Sequence, residues 1–415
     1  MTKRIGIIGA GASGLMAACF AAENGNEVAL FEKQYMIGRK LQAAGNGRCN
    51  ISNRNLSSSL SSNFAAHYHG DNPQFAAHVF SHFGLEETEK FFTSIGLPFT
   101  EKEDGRLFPA SLQGSSVAAI FQYELAKRNI RLLLNRRVDS LTQSGKGFTI
   151  VTAGKEEHSF DAVILAAGSP AFPSLGGSDN GCQLAASLGH RIIRPRPVIL
   201  PINIPLKALH RLQGIKWDVC AKVKDGDKII SESCGEILFT AYGISGPVSL
   251  MISRAVNETF WEKRRPVIEI DFFPKMKPGE LRDFFDTLWS DQRKKFVFSL
   301  AGVLKERMAD FLSAAAAIDP EARLSSVGEN ERAVFAETVK SVKLEAGPPR
   351  GFKEAAAAAG GVATDEIDPR TMESLLIKKL FITGELLDID GDSGGYNLQF
   401  AWSSGALAGL AQRLD

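Results

Sequence analysis

Three glycines near the beginning of the sequence have the spacing that brings a backbone close to a pyrophosphate. Gly9, Gly11 and Gly14 follow one short apolar run and open another. In such a turn the first glycine permits a tight bend, the second lets the chain approach phosphate, and the third lets the helix pack on the strand. The amides of Ala12 and Ser13 are expected to point at phosphate, where the helix dipole favours negative charge. The pattern predicts a dinucleotide site; the alternative is a glycine turn that serves only helix packing.

An acidic residue ends the next apolar run. Glu32 occupies the position from which a carboxylate accepts the hydroxyls of an adenosine ribose. Because a carboxylate there would repel a 2′-phosphate, the sequence predicts FAD or NAD rather than NADP. Lys33, the following residue, is included among the predicted cofactor contacts.

Residues 39–55, rich in glycine, asparagine and basic residues, are predicted to form a loop. Considered without its neighbours, such a segment is usually a solvent-exposed connection. Here it follows the ribose-binding strand, so its basic groups would neutralise phosphate and its side-chain amides would bond to ribose or to the edge of the flavin. Cys49 is interpreted either as a thiol beside flavin or as a packing residue. The candidate contacts are Arg39, Lys40, Asn46, Gly47, Cys49 and Asn50.

A second glycine-rich constellation lies close to the end of the sequence. A strand predicted over residues 380–383 leads into a Gly-Glu pair with an aspartate just beyond, and these carboxylates would hold ribityl hydroxyls. A glycine pair then opens a helix over 397–410, whose first N–H groups would face the flavin pyrimidine edge, where negative charge collects on reduction. The predicted contacts are Gly384, Glu385, Asp388, Gly395, Asn397 and Leu398. Together with the first turn they would enclose both ends of one FAD.

The elements that must position these residues alternate as in a parallel sheet. Residues 3–9, 11–24 and 27–32 have the strand, helix, strand pattern of a βαβ unit. Further on, an antiparallel meander is predicted over 138–160, and a buried strand over 162–167 that ends in a ligand-facing loop. Val138, at the start of the meander, and Ala167 with Gly168, at that loop, complete the predicted contacts.

Composition changes along the chain predict three domains. Four prolines lie within residues 194–205, β-type segments follow, and helical spacing dominates from about residue 277. The predicted boundaries are 1–194 with 346–415 for a discontinuous FAD-binding domain, 195–276 for an inserted β-rich domain, and 277–345 for a helical subdomain.

The net charge indicates which kinds of partner to expect, and the cysteines indicate the cellular compartment. Lys+Arg 48 against Asp+Glu 47 leave a formal net charge of +1, which gives no electrostatic footprint for nucleic acid or an acidic membrane. No apolar run is long enough to predict a membrane span. We therefore expect a small-molecule substrate, no nucleic acid and no membrane, while the oligomeric state is not indicated. The scattered cysteines are expected to be thiols of a cytoplasmic protein: Cys19, Cys49, Cys182, Cys220 and Cys234.

Catalytic acids and bases are scarce in the motifs. Tyr242 and Tyr396 are candidates, either as proton donors to a reduced double bond or as structural residues. The histidines between residues 67 and 82 have no accompanying carboxylate motif, so no metal site is predicted. A bound flavin carries hydride itself, so the protein need only place the substrate over N5 and tune the flavin ring.

The sequence resembles the BaiN-like (YhiN-type) FAD-dependent oxidoreductase family over essentially its whole length. Beyond the motifs above, the resemblance rests on residues 239–247 (Phe-Thr-Ala-Tyr-Gly-Ile-Ser-Gly-Pro), 359–362 (Ala-Gly-Gly-Val), 371–374 (Thr-Met-Glu-Ser) and 401–405 (Ala-Trp-Ser-Ser-Gly). It implies an α/β fold: a glutathione-reductase-type Rossmann FAD domain, with non-covalent FAD, an inserted β-barrel-like domain and a helical subdomain.

Two positions depart from the family pattern. The family has Phe-Thr-His before its Gly-x-Ser-Gly-Pro loop, whereas this chain has Thr240, Ala241 and Tyr242, so any role of that histidine is absent. Leu375 and Leu376 follow the Glu-Ser pair where the family often has lysine. Neither change affects the predicted FAD contacts.

The resemblance implies redox chemistry without fixing the substrate, since the family includes suspected NAD(P)H-linked reductases of steroid-like compounds and an amine oxidase. Our leading expectation is reduction of an unsaturated small molecule, with flavin N5 as hydride carrier. Because no second glycine motif over 162–189 indicates a nicotinamide domain, the hydride donor is expected either to be NADH or NADPH that docks transiently at the flavin, or not to be a nicotinamide. The alternatives are an amine-type oxidase that passes electrons to oxygen and a non-catalytic flavin-containing binding protein.

Overall fold

The computed structural model describes residues 2–57, 64–145 and 147–413. The chain divides into two compact units, residues 1–197 with 355–415 and residues 198–354. The predicted β-rich and helical segments, 195–276 and 277–345, both fall almost entirely in the second unit. Their separation from each other remains a prediction.

The amino-terminal part of the first unit alternates strands and helices from its first residues. Its strands are β1 (Arg4–Ile8), β2 (Glu27–Phe31), β3 (Ser52–Asn53), β4 (Tyr68–His69), β5 (Phe99–Glu101), β6 (Arg106–Pro109), β7 (Arg131–Leu133), β8 (Val138–Ser144), β9 (Gly147–Thr152), β10 (Glu157–Phe160), β11 (Ala162–Leu165) and β12 (Ile192–Val198). Its helices are α1 (Ala12–Glu23), α2 (Arg39–Ala43), α3 (Gln74–His82), α4 (Leu85–Ser94), α5 (Gly114–Lys127) and α6 (Asn180–Ser187). The predicted βαβ opening and the antiparallel meander of β8, β9 and β10 are confirmed. The prediction that residues 39–55 form only a loop is wrong, because α2 and β3 lie within them.

The second unit has a six-stranded antiparallel sheet and six helices among its described residues. The strands are β13 (Ile202–Asn203), β14 (Lys216–Asp225), β15 (Lys228–Thr240), β16 (Gly243–Ser245), β17 (Val267–Asp271) and β18 (Val342–Glu345), and the helices are α7 (Lys207–His210), α8 (Pro247–Trp261), α9 (Pro278–Leu288), α10 (Phe296–Ser299), α11 (Glu306–Ala315) and α12 (Glu329–Thr338). The sheet order is β13-β16-β15-β14-β17-β18, and the N–H of Gly347, just beyond β18, donates to the carbonyl of Asn203 in β13 at 2.7 Å. Helix α8 was missed in the segment predicted as β-rich.

A disulfide joins two neighbouring strands of this sheet. Cys220 of β14 lies opposite Cys234 of β15, with their Cα atoms 4.0 Å apart, and the two form a disulfide. The expectation of five free thiols is therefore wrong for this pair, because the antiparallel register places the two side chains on the same face of the sheet. Cys19, Cys49 and Cys182 are free and buried.

The chain returns to the first unit with β19 (Ala357–Val362), β20 (Leu380–Ile382), β21 (Asp390–Gly391) and α13 (Tyr396–Leu410). β20 completes a five-stranded sheet in the order β20-β11-β1-β2-β7, with all its pairs parallel, while β19 pairs with β12 and β21 with β4. The carboxyl ends of parallel strands lie at one edge of a sheet. The glycine turn after β1, Glu32 after β2, Ala167 after β11 and Thr383 after β20 therefore lie at the same edge.

Helix α13 packs closely against α1. A Cβ added at Gly405 would lie 2.2 Å from the carbonyl oxygen of Ser13, and one added at Gly409 would lie 2.6 Å from that of Ala17. Glycine is thus required at both positions for this approach of the two helices. Residues from opposite ends of the sequence are in this way held together under the glycine turn.

Candidate cofactor site

The three glycines of the first turn have three different environments. Gly9 has a φ of +107°, and a Cβ there would lie 2.3 Å from the carbonyl oxygen of Ala166. A Cβ at Gly14 would lie 1.9 Å from the carbonyl oxygen of Gly9, so α1 could not pack on β1 with a larger residue. Gly11 is the residue immediately before α1, and a Cβ added to it would meet no atom within 4 Å. The open side of the turn is where an approaching phosphate would fit.

Two backbone N–H groups hold the carboxylate of Glu32 beside this turn. Ala10 N–H donates to Oε2 at 2.9 Å, and Gln34 N–H donates to Oε1 at 2.8 Å. Each oxygen retains a lone pair that can accept a further hydrogen bond. Lys33 Nζ donates to Ser178 Oγ at 2.6 Å, and burial lowers the pKa of this ammonium.

The basic residues at the start of α2 contact protein groups. Arg39 Nη1 donates to Gln34 Oε1 at 2.7 Å, with its guanidinium over the ring of Tyr35. Lys40 Nζ pairs with Glu385 Oε2 at 2.9 Å, and both side chains are only partly exposed. This ion pair connects the predicted basic segment, residues 39–55, directly with the glycine-rich constellation near the end of the sequence.

The first residue beyond Thr383 touches the glycine turn. Gly384 has a φ of +67°, and a Cβ there would lie 2.5 Å from Ser13 Oγ. Its N–H donates to Ser404 Oγ of α13 at 3.0 Å. The structure therefore brings Gly384 against the glycine turn, while the binding of the ribityl chain by Gly384 and Glu385 stays a prediction.

The segment between α2 and β3 runs through left-handed backbone. Asn46, Gly47 and Cys49 have φ values of 56°, 83° and 58°, and the first two are exposed. Burial raises the pKa of the Cys49 thiol to about 12, so it is protonated at neutral pH. Asn50 follows with a buried side-chain oxygen.

Gly395 joins this segment to α13, because with a φ of +106° a Cβ there would lie 2.3 Å from the carbonyl oxygen of Ser52. Asn397 accepts the N–H of Gly391 at 2.9 Å and donates to its carbonyl at 2.7 Å, and Leu398 is half-buried.

The buried carboxylate of Asp388 accepts the N–H of Asp71 at 2.8 Å. Gly168 has a φ of +69° with open space beside it, next to the half-buried Ala167. The carbonyl of Val138 accepts Asn180 Nδ2 at 3.2 Å.

The glycine turn, Glu32, residues 39–53 and residues 383–398 form what we call the cofactor cradle. Three of its buried polar atoms are unpaired within the described part of the chain: Asn50 Oδ1, Thr383 Oγ1 and Glu385 Oε1. Buried polar atoms are nearly always hydrogen-bonded, so these three fit a polar ligand. Together with the open space at Gly11 and Gly168, they match the requirements of FAD. Thr383 was missed from the sequence; its signal was its position at the end of a buried parallel strand.

Neither tyrosine candidate belongs to the glycine turn. Tyr242 lies in the second unit, where the guanidinium of Arg350 stands 3.8 Å from its ring centre. Tyr396 is the first residue of α13, and burial raises the pKa of its hydroxyl, which lies 3.5 Å from Asn55 Nδ2.

The sequence reasoning also missed a group of side chains around Tyr396. His67, stacked on the Tyr396 ring with 4.4 Å between ring centres, and His69 both contact Asp392. Burial disfavours the charged form of this carboxylate, but the hydrogen bonds from both imidazoles outweigh it and lower the pKa of Asp392. No group that could hold a metal was found in residues 2–57, 64–145 and 147–413.

Comparison with known proteins supports the resemblance seen in the sequence. The family model described as "HI0933-like protein Rossmann domain" matches residues 3–411. The chain belongs to this family. Among curated relatives, a 3-dehydro-bile acid delta(4,6)-reductase of Clostridium scindens is 35% identical over 99% of this chain and 98% of its own. A ribosomal RNA dihydrouridine synthase of Escherichia coli is 27% identical over 96% and 95%, respectively.

The similarity to solved structures concerns the fold alone. A 3-ketosteroid delta1-dehydrogenase from Sterolibacterium denitrificans superposes with a TM-score of 0.53 at 13% identity, covering 98% of this chain and 99% of that one. As a member of the HI0933-like family, the chain is a flavin-dependent oxidoreductase with a Rossmann FAD-binding domain. Among its described helices, none has the length and apolar character needed to cross a bilayer.

One family motif of this HI0933-like chain has a structural role. Ser374 Oγ lies 2.9 Å from His190 Nε2, and His190 Nδ1 lies 2.8 Å from Glu366 Oε2, a chain of contacts that resembles a hydrolytic triad. However, Ser374 is only 1% exposed and its oxygen accepts the N–H groups of Leu376 and Ile377. The motif therefore fixes the turn before β20 rather than presenting a nucleophile.

Proposed function

We propose that this chain binds FAD non-covalently and reduces a carbon–carbon double bond conjugated to a carbonyl group in a small molecule, with NADH or NADPH as the transient electron donor. The bound flavin would supply the hydride from N5. The residues of the chain bind and orient the flavin and the substrate, and hold protons where the reaction needs them.

The cradle at the carboxyl ends of the parallel strands supports the cofactor part of this proposal. The open side of Gly11 with the amides of Ala12 and Ser13 would bind the pyrophosphate, and Glu32 would accept the ribose hydroxyls. Glu385, whose Oε1 is buried and unpaired in the described chain, would accept from the ribityl chain.

The first N–H groups of α13 would bind the pyrimidine edge of the flavin and stabilise the charge that collects there on reduction. Gly395 fixes that helix end against Ser52. Asn50 Oδ1 and Thr383 Oγ1 are further acceptors available to the cofactor.

The proposed substrate class rests on one observation: a curated relative is 35% identical to this chain over 99% of its length. Its name describes reduction of double bonds at positions 4 and 6 of a 3-oxo compound, and those bonds are conjugated to the carbonyl. Conjugation matters because the carbonyl accepts the electrons that a hydride displaces. An activated double bond in a flat, largely apolar molecule is the substrate class that we propose for this chain.

An anaerobic titration tests the proposal. Purified protein should be yellow; NADH or NADPH should bleach the flavin band, and a 3-oxo-4,6-diene steroid acid should restore it while losing a double bond. Failure of both nicotinamides to bleach the band would contradict the electron donor. Peroxide release with an amine panel would instead support the oxidase, and a flavin that no reagent turns over would support a non-catalytic protein.

A second substrate is favoured by the relative that is 27% identical over 96% of this chain, named as a ribosomal RNA dihydrouridine synthase. The uracil double bond that becomes saturated in dihydrouridine is also conjugated to a carbonyl, so the same chemistry would serve. Incubation of the reduced protein with modification-free ribosomal RNA, followed by nucleoside mass spectrometry, distinguishes the two. Dihydrouridine without turnover of the dienone would replace the small-molecule substrate by RNA.

The second unit and the location of the protein complete the proposal. We propose that residues 198–354 form the family's inserted barrel-like domain with its helical subdomain, which the bond between Gly347 and Asn203 supports. A cytoplasmic location, where NADH and NADPH are abundant, is part of the same proposal.

A further inference from the structure

Two histidines share the two oxygens of one carboxylate beside the beginning of α13. His67 Nδ1 lies 3.0 Å from Asp392 Oδ2, and His69 Nε2 lies 2.9 Å from Oδ1. About a third of each histidine side chain is exposed, against a fifth of Asp392. Within the described residues, Nε2 of His67 and Nδ1 of His69 bond to no other group. Each imidazole is thus fixed on one side and open on the other.

The backbone makes this arrangement rigid. β4, which carries His69, pairs antiparallel with β21, and the N–H of Asp392 donates to the carbonyl of His67 at 2.9 Å. His67 also stacks on Tyr396, with an angle of 23° between the rings. Of the titratable groups near the two histidines, Asp392 and Tyr396 contact them, and Tyr68 of β4 and Asp390 of β21 lie on the paired strands. The cluster joins residues more than 300 positions apart into one structure.

Reduction of a conjugated double bond needs a proton as well as a hydride. The hydride adds to the carbon remote from the carbonyl, the electron pair of the double bond moves toward the carbonyl as an enolate, and a proton must then reach the neighbouring carbon. Imidazole is the side chain that gives up a proton near neutral pH, and such general acids contribute about 10²- to 10⁴-fold to rates.

We propose that His67 donates this proton from Nε2, with Asp392 and His69 as positioning residues; the inference rests on the function proposed above. The step leaves His67 neutral, and solvent returns its proton. His67 stacks on the first residue of α13, the helix end assigned above to the flavin pyrimidine edge. The carboxylate of Asp392 holds Nδ1, so that Nε2 is the nitrogen that faces substrate.

Other candidates fit this task less well. Tyr396 is 4% exposed, and burial raises the pKa of its hydroxyl. The side chain of His190 is fully buried, and both of its nitrogens are occupied by Ser374 and Glu366. His69 has an open nitrogen, but His67 is the imidazole that stacks on the first residue of α13.

A half-reaction experiment separates proton donation from cofactor binding. Holoenzyme reduced with dithionite is mixed anaerobically with the 3-oxo-4,6-diene steroid acid, and flavin reoxidation is followed from pH 5 to 9. Wild-type rates should fall as the pH rises, because only the protonated imidazole can donate the proton. His67→Asn should slow reoxidation by about 10²-fold and remove this dependence, with flavin content unchanged. His78→Asn is the matched control, because His78 is an exposed histidine of α3 whose imidazole bonds to the backbone carbonyl of Gln74.

Nitrogen-15 NMR of the histidines gives a readout that does not depend on turnover. Neutral His67 should carry its proton on Nδ1 in wild type, and Asp392→Ala, which removes the acceptor, should change that tautomer. If His67→Asn does not fold, His67→Gln is used in the kinetic arm. Wild-type rates and pH profile in the His67 variant, or a tautomer that Asp392→Ala leaves unchanged, would overturn the inference alone. A wild-type enzyme that reduces neither the dienone nor uridine in RNA would overturn the proposed function, and the inference with it.

Discussion

One methyl group added at Gly11 tests the cofactor cradle, because its effects on folding and on FAD binding have opposite signs. The φ and ψ of Gly11 are −83° and −168°, which alanine adopts freely, and an added Cβ meets no atom within 4 Å. Replacing such a glycine reduces the entropy of the unfolded chain, so the Gly11→Ala apoprotein should be more stable by about 0.4–1 kcal/mol.

Binding should weaken, because the methyl group occupies the space in which the pyrophosphate approaches the first turn of α1. Loss of two charge-assisted hydrogen bonds, at about 1.5 kcal/mol each, amounts to about 3 kcal/mol, or roughly 150-fold in the dissociation constant. FAD titration of the apoprotein by flavin fluorescence measures this, and urea unfolding measures the stability. A stable Gly11→Ala protein with the wild-type dissociation constant would refute the placement of the pyrophosphate.

Gly14→Ala is the matched comparison. Its Cβ would lie 1.9 Å from the carbonyl oxygen of Gly9, so α1 must shift away from β1. Overpacking of this kind costs about 1–3 kcal/mol. We expect this apoprotein to be less stable than wild type, in contrast to Gly11→Ala, and equal urea midpoints for the two variants would contradict the close approach of helix and strand.

Three other outcomes are expected. Ser374→Ala should lower the free energy of unfolding by about 1–3 kcal/mol, since it leaves buried partners such as His190 unpaired, while FAD affinity stays at the wild-type value; an unchanged urea midpoint would argue against the buried chain. The folded-state pKa of Asp392 lies below its ordinary value of 3.8, so the ionised carboxylate stabilises the fold above pH 3.8, and this contribution to the free energy of unfolding is lost as the pH falls through the folded-state pKa. In acid unfolding curves, Asp392→Asn should therefore lack this part of the pH dependence. Cys49, with its pKa raised to about 12, should be alkylated by iodoacetamide at pH 8 only after unfolding, and rapid labelling of the native protein would show an accessible thiolate.

The parts of the site that were predictable from sequence are those fixed by neighbouring residues. Gly9, Gly11 and Gly14 connect adjacent elements, so their spacing alone specifies the strand, turn and helix. Glu32 follows because it ends the next strand of the same unit. The short helix α2 was not predictable in this way, because five residues give too little periodicity and its start depends on the left-handed backbone of Gly38.

Contacts between paired strands could not be read from the sequence, because they depend on the register of the pairing. In the hairpin of β14 and β15, Asp225 pairs with Lys228 at the turn, and regular pairing from there would place Cys220 opposite Ser233. An irregularity after Val223 shifts the register by one residue and brings Cys220 opposite Cys234 instead. The contacts of His67 and His69 with Asp392 likewise require the pairing of β4 with β21, which no local pattern in either segment indicates.

The close contact of α13 with α1 has a consequence for the order of events during synthesis. Translation proceeds at about 5–20 residues per second, so roughly 20–75 s separate the end of α1 at Glu23 from the start of α13 at Tyr396. During that time α1 has no partner for the face that Gly405 and Gly409 later cover. Residues 198–354, which are continuous in the chain, can fold on the ribosome first, and the nascent amino-terminal segment must remain protected from aggregation until the last helix emerges.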